Sequence, residues 1–491
     1  MWKGSAFFSS LLQLMYKIFE AGNLIMSGYL YHNHKPIVMK KILLILSVFF
    51  SQLSFSQQPV MTPVQIAQRN KPGTVMIQAT YKGTVSAIAP EIDESALNNL
   101  ALQVKQELTD AGKFTETLFW NTYLLTFAKN IDQYMMQGTE RVSKELNTTM
   151  MGSGFIITPD GYVMTNAHVV DENDADTKHG FAEQAFNEIL RDDIKTLEDA
   201  MNRKMSDEEA YALKEAYSWY YSQTMEVGKI KKNFSVVLGI TGDKGKIVPL
   251  EIPAKIVIQG KPIPGKDVAI LKLQEDHVYP TIRIGDDKAM RVGDAVFVLG
   301  YPAVATFNPV LSAETVSEAT LTRGLVSAKK NMKDGWEVLQ IDAAITHGNS
   351  GGPVLNEQGE VIGLATFVSV DEQRKQEVQG MNFIVPSTIA QEFISDADIK
   401  PEMSDISLAY EDAMDLFDKA RYKKALVKFR EVKEMNPSFP FIDTYVSQTQ
   451  KNIDKGLDKE PMDMTMYYYI GGGALLLILI LFLVFRGKKK K

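Results

Sequence analysis

Gly348-Asn349-Ser350-Gly351-Gly352-Pro353-Val354 is the stretch on which the reading of this chain turns. A serine set among glycines on a tight loop can present its hydroxyl outward. The glycines let the backbone turn so that N–H groups converge on one point, and together these make a nucleophile with an oxyanion-binding site. Alone the string is weak, because glycine and serine also build ordinary turns. Two other stretches add to it. Thr165-Asn166-Ala167-His168-Val169-Val170 follows the apolar run Gly154-Phe155-Ile156-Ile157, and Lys266-Asp267-Val268-Ala269-Ile270-Leu271-Lys272-Leu273 sets an aspartate at the start of a strand-like segment.

The order His, Asp, Ser along the chain is one of the known orders for a catalytic triad. Further strings accompany it: Gly152-Ser153-Gly154 through Tyr162, Gly293-Asp294-Ala295 through Pro302, Gly324-Leu325-Val326-Ser327-Ala328, Asp342-Ala343-Ala344-Ile345 and Gly359-Glu360-Val361-Ile362-Gly363-Leu364-Ala365. In that order, from about 152 to 366, they resemble a trypsin-fold serine protease of the HtrA/Deg type. The resemblance implies a mainly β fold, two six-stranded barrels with the site in the cleft between them, and helical insertions where this chain is longer than the pattern.

The same resemblance implies roles. Ser350 is the expected nucleophile, His168 the general base and then acid, and Asp267 the carboxylate that orients the imidazole. The N–H groups of Gly348 and Ser350 are the expected oxyanion hole. Asp171 and Asp174 also follow the histidine, but Asp-Val-Ala-Ile-Leu-Lys-Leu favours Asp267. Ala344, Thr346, Ala365 and Thr366 are the candidate substrate-pocket residues. Alanine at 344, six residues before the serine, argues against Arg or Lys at the cleavage site and for a small or medium apolar side chain. His347 stands where the pattern often has proline.

Composition narrows the classes. The chain has 491 residues, enough for two or three domains. A net charge of -7, with no basic block before the extreme C-terminus, argues against nucleic acid as a partner. There is no cysteine, which excludes disulfides, thiol catalysis and cysteine metal sites. The histidines (His32, His34, His168, His179, His277 and His347) show no metal-binding spacing, and no cofactor is expected.

Both ends concern membranes. Met39-Lys40-Lys41 opens the apolar run 42–50, and Ser54 and Ser56 precede Gln57. That is the pattern of a secretory signal peptide over 39–56, with 1–38 a misassigned extension. Tyr467 to Phe485 is nearly all apolar and uncharged, long enough to span a bilayer as one helix. Tyrosines 467–469 stand at one end, and Arg486 and Lys488–Lys491 at the other. Positive charge stays cytoplasmic, so the body is expected outside the cytoplasm, with 486–491 as a basic tail inside. The expectation is an extracytoplasmic or periplasmic protease domain anchored in a bacterial inner membrane.

Between the ends, a protease domain is expected over 57–398, with a short helix at 63–69 and a first strand at Thr74–Tyr81. Helical spacing at Leu97, Leu100, Ala101, Val104 and Leu108, then an apolar helix over 114–137, mark one insertion at about 90–140. A second occupies about 180–228, where Ser206 with Glu209 forms a capping-box pattern. Over 399–453 the pattern turns helical. Ala413, Tyr422, Ala425, Phe429 and Pro437 match positions of a single tetratricopeptide-like repeat. Residues 454–466 read as a linker. The PDZ domain that such proteases commonly carry has no counterpart in the pattern.

The expected activity is a membrane-anchored, exported serine endopeptidase acting on envelope or misfolded proteins. The alternative is a pseudoprotease or chaperone-like scaffold binding through the cleft and the repeat. The expected partners are polypeptides, the lipid bilayer, a protein partner for the repeat and further copies of the chain.

Overall fold

The structure is a computed structural model that describes residues 60–171, 174–242, 246–306, 310, 318–371 and 376–459. The expected signal segment, the expected membrane helix at 467–485 and the expected basic tail lie outside these residues. Among the described residues no helix is long and apolar enough to cross a membrane.

The fold is trypsin-like, built on two antiparallel sheets. The first contains β1 (Thr74–Ile92), β2 (Met135–Ile156), β3 (Tyr162–Thr165), β4 (Glu226–Val227), β5 (Lys231–Thr241), β6 (Ile247–Gln259) and β7 (Ala269–Leu273). Its order is β2-β3-β7-β6-β5-β1-β4, and β1 also pairs with β2, which brings the two ends of that order together. The short β4 is a seventh strand beyond the six expected. The second sheet is a closed barrel of β8 (Ala295–Gly300), β9 (Thr320–Asn331), β10 (Glu337–Ile341), β11 (Pro353–Leu355), β12 (Val361–Asp371) and β13 (Gln376–Pro386), ordered β10-β13-β12-β11-β8-β9.

Inward-facing residues fill each sheet. Val75, Ile77, Ile156, Val163, Val236 and Leu271 pack inside the first. Val296, Val298, Leu339, Ile341, Ile362 and Ile384 pack inside the second. A third cluster joins the sheets, with Met76, Phe155 and Ile270 from one against Phe297, Leu355 and Leu364 from the other. That shared core fixes the cleft between them.

The insertions depart from the simplest reading. β1 and β2 run far past the barrel and stay paired from Thr74↔Phe155 out to Ile92↔Met135. The ten residues beyond Lys82 carry that hairpin outward by about 33 Å. At its end sits a new layer of four helices. α1 (Pro63–Asn70) precedes the barrel, α2 (Glu94–Asp110) and α3 (Glu116–Lys129) cap the hairpin, and α4 (Asp174–Met201) and α5 (Asp207–Thr224) come from the second insertion; of these, only α2 to α5 form the layer on the hairpin.

The apolar helix expected over 114–137 stops at Lys129. A 3-10 turn follows at Ile131–Gln133, and Met135 already belongs to β2. The β-branched residues Thr139, Val142, Thr148 and Thr149 suit a paired strand better than a helix. The two insertions form one lobe. Leu100, Val104, Leu124, Phe127, Ile189, Leu190, Leu213 and Tyr217 share a single core across all four helices. The capping box is formed: Glu209 N–H donates to Ser206 Oγ at 3.2 Å and Ser206 N–H donates to Glu209 Oε2 at 2.8 Å.

α6 (Ser387–Asp396) packs against β12 and β13, and α7 (Asp405–Asp418), α8 (Tyr422–Met435) and α9 (Ile442–Asp454) follow as three helices. Tyr410, Ala413, Ala425, Phe429, Phe439 and Tyr445 form their core. They dock on the barrels through Arg69, whose guanidinium donates to Asp415 and Asp418 at 2.8 Å each. Thr241 seals the other side, its hydroxyl donating to the Phe439 carbonyl at 2.6 Å.

Candidate active site

His168 sits on a single 3-10 turn, Ala167–Val169, directly after β3. Buried neighbours lock the turn. The Thr165 hydroxyl donates to Ser153 O at 2.8 Å, and Asn166 Nδ2 donates to Asp267 O at 2.7 Å. Asp267 begins the chain into β7 and is fully buried. Its carboxylate accepts three hydrogen bonds. The His168 backbone N–H donates to Oδ1 at 2.9 Å; His168 Nδ1–H and the Thr366 hydroxyl donate to Oδ2 at 2.7 Å and 2.5 Å. A carboxylate only accepts, so Nδ1 carries the proton and Nε2 is left as the basic nitrogen.

Ser350 is supplied by the second sheet. Its loop is possible because Gly348 and Gly351 take φ of 98° and 84°, a region that favours glycine. A side chain at Gly348 would collide with Tyr301 O and Ala303 N, and one at Gly351 with Ser153 O and Thr165 Oγ1. The loop is thus pressed against the first sheet. Ser153 N–H donates to Ser350 O at 2.7 Å, and the Ser153 hydroxyl donates to Gly348 O at 2.6 Å while accepting from Tyr301 N–H at 2.9 Å. The Gly351 N–H donates to Ala365 O at 2.8 Å.

Two features set the chemistry. The His347 carbonyl accepts from Ala303 N–H at 2.8 Å, so the Gly348 N–H of the same trans peptide points the opposite way. Neither Gly348 N–H nor Ser350 N–H has an acceptor among the described residues. The Ser350 hydroxyl donates to Thr366 O at 3.1 Å rather than to His168 Nε2.

His168, Asp267, Ser350 and Gly348 therefore meet where the two sheets face each other. The pocket candidates divide. Thr366 has its hydroxyl on Asp267 and its carbonyl on Ser350. Ala365 is buried in the second barrel's interior. Ala344 is exposed, its carbonyl accepting from the Thr322 hydroxyl at 2.9 Å. Thr346 is half-buried, and its hydroxyl has no partner among the described residues. Ser153, which ties the serine loop to both sheets, was passed over by sequence reasoning. The available signal was its place in Gly152-Ser153-Gly154, a string that carried the resemblance without a role for the serine.

Residues 222–364 match the family model for a trypsin-like peptidase domain. The match includes Asp267 and Ser350, and His168 lies before it, across the second insertion. The chain is 31% identical over 147 residues to "Serine protease Do-like HtrA" of Bacillus subtilis, covering 29% of this chain and 31% of that one. It is 25% identical over 356 residues to a "Probable periplasmic serine endoprotease DegP-like" of Rhizobium meliloti, covering 68% and 53%. It is 32% identical over 163 residues to "Protease Do-like 2, chloroplastic" of Arabidopsis thaliana, covering 32% and 23%. The chain thus spans between about a third and a half of the length of the first two of these relatives. By fold, by the peptidase-domain match and by these relatives, the chain is similar to the HtrA and DegP-like serine proteases.

Proposed function

We propose that this protein is a serine endopeptidase whose site is His168, Asp267 and Ser350. The observation that carries the reading is the buried Asp267 carboxylate holding His168 Nδ1–H at 2.7 Å beside a glycine-framed serine. His168 Nε2 takes the proton from Ser350 Oγ as the oxygen attacks the peptide carbonyl carbon. The carbonyl oxygen becomes an oxyanion, met by Gly348 N–H and Ser350 N–H, each typically worth about 3 kcal/mol to the transition state. The imidazolium, stabilised by Asp267, then protonates the departing amine. Water, deprotonated by the same nitrogen, releases the acyl group from Ser350. Polypeptides are the substrates this site suits, in keeping with the endoprotease names of the relatives.

The Ser350–Thr366 bond favours a site that rests latent and engages on substrate binding. Labelling of the full-length chain with a fluorophosphonate, with and without an unfolded polypeptide present, tests both points. Labelling that vanishes in Ser350→Ala supports the protease. Folded chain that stays unlabelled under both conditions leaves the scaffold reading instead.

We further infer export and membrane anchoring, supported by the apolar stretch 467–485 with its basic flank and by the word periplasmic in the names of relatives. Extraction from membranes by detergent but not by alkaline carbonate is the expected behaviour. Release by carbonate alone would remove the anchor. The three C-terminal helices are the proposed surface for a protein partner.

A further inference from the structure

Gly152-Ser153-Gly154 lies in β2 where the serine loop presses on the first sheet. A Cβ at Gly152 would come within 3.0 Å of Ser350 O, and one at Gly154 within 2.7 Å of Met164 O. The strand is thin there, and Ser153, fully buried, is the one residue of the three with a side chain. Its hydroxyl accepts from Tyr301 N–H at 2.9 Å and donates to Gly348 O at 2.6 Å. An N–H only donates and a carbonyl only accepts, so the single hydroxyl proton lies on the Gly348 side.

Gly348 is the residue this bond controls. With no Cβ and a φ of 98°, other backbone conformations lie open to it, and some of them turn its N–H away from the site. Its direction is set by the two peptides that flank its Cα. The first is held at His347 O by Ala303 N–H at 2.8 Å. The second is held at Gly348 O by the Ser153 hydroxyl and at its other end by Asn349 N–H, which donates to Thr346 O at 3.0 Å. Tyr301 and Ala303 follow β8 directly, so one short segment braces both carbonyls, His347 O through Ala303 and Gly348 O through Ser153. The Ser153 backbone N–H holds Ser350 O at 2.7 Å, a brace that a change of side chain leaves in place.

We propose that Ser153 is a positioning residue for the reaction: its hydroxyl, by holding Gly348 O, keeps Gly348 N–H turned toward the oxygen of the attacked carbonyl. The inference rests on the protease reading. Ser153 is fully buried and acts only through Gly348, so it touches no substrate. Without the hydroxyl, Gly348 O and Tyr301 N–H both lose the group that bridges them, and the peptides around Gly348 are braced from one side only. A donor aimed at the oxyanion counts in the transition state and little in substrate binding, so its loss falls on kcat and spares KM. The hydroxyl comes from the first sheet and the donor from the second, which makes the oxyanion hole depend on the two sheets being docked.

The test compares full-length wild type, Ser153→Ala and Ser153→Cys on one peptide substrate, with fluorophosphonate labelling and thermal melts in parallel. In Ser153→Ala, kcat is expected to fall by about 10- to 100-fold while KM moves by less than about twofold. The rate of labelling should fall with kcat, because the phosphonyl oxygen meets the same donors. A thiol is a weak donor, so Ser153→Cys should lie between the other two, and the chain has no second cysteine to pair with it. That variant also carries the test if Ser153→Ala fails to fold. Variants that keep the wild-type kcat, whatever their melts, or a loss confined to KM, overturn the positioning role alone. A folded wild type that neither labels nor cuts overturns the protease reading, and this one with it.

Discussion

The cleft and the helical lobe are built on opposite terms. In the cleft, single atoms from strands nearly two hundred residues apart meet at hydrogen-bond distance, as where the Ser153 hydroxyl bridges Gly348 O and Tyr301 N–H. In the lobe, four helices meet through apolar and aromatic bulk, with Tyr221 edge-on to Phe186 and Phe119 stacked on Tyr123. Thr224 Oγ1 is buried there without a partner among the described residues. Hydrogen bonding dictates residue identity, whereas packing asks for volume and tolerates exchange. One region is specified atom by atom, the other by shape.

Asp267→Asn would sharpen the contrast most. Volume is kept while the tautomer of His168 is reversed, and peptide hydrolysis should fall by about 10⁴-fold with thermal stability little changed. A loss under tenfold would mean that Asp267 is structural. Gly351→Ala comes next. At φ 84°, with Ser153 O and Thr165 Oγ1 in the way, one methyl group should cost about 3 kcal/mol and shift the barrel transition in a thermal melt. An unchanged melt would show that the loop is not held as described.

Leu213→Ala tests the lobe. Leu213 is fully buried in its core, and truncation should cost about 3 kcal/mol. Amide exchange should quicken in α2 to α5 while labelling of Ser350 changes little; equal quickening in both barrels would erase the distinction between the regions. The smallest effect is acid sensitivity. Burial pushes the Glu209 carboxyl up, but bonds from Arg203 and the Ser206 N–H outweigh it and hold it below its ordinary value. A depressed value means that this contribution is present above the unfolded value and is lost as pH falls through the folded one. Exchange in α5 should therefore rise below about pH 4, and less so in Arg203→Leu, where the carboxyl starts unpaired.

The same contrast explains what could be read in advance. Ser350, His168 and Asp267 were legible because each sits in a string whose neighbours are constrained by backbone geometry, as Gly351 is by its φ. Thr366 was expected at the pocket, and its hydroxyl donates to Asp267, because what a strand side chain meets depends on partners far away in sequence. The helices of the lobe were legible singly from spacing and from the Ser206 cap. Their union was not, because no local pattern tells Leu100 that it will meet Leu213. The helix expected to reach 137 failed for the same reason: Met135 pairs with Ile92, across the whole insertion.

Tyr81 carries a consequence for how the molecule moves. Its ring is buried in β1, and its hydroxyl donates to Asp171 O at 3.0 Å, three residues past His168 and just before the lobe begins. The backbone leaving the histidine turn is moored to the barrel before it enters the helices. A strain applied to α4 is borne at that mooring, and the imidazole three residues before it keeps its bearing. The lobe can breathe, bind or be trimmed as an outrigger does, without rocking the hull that holds the serine.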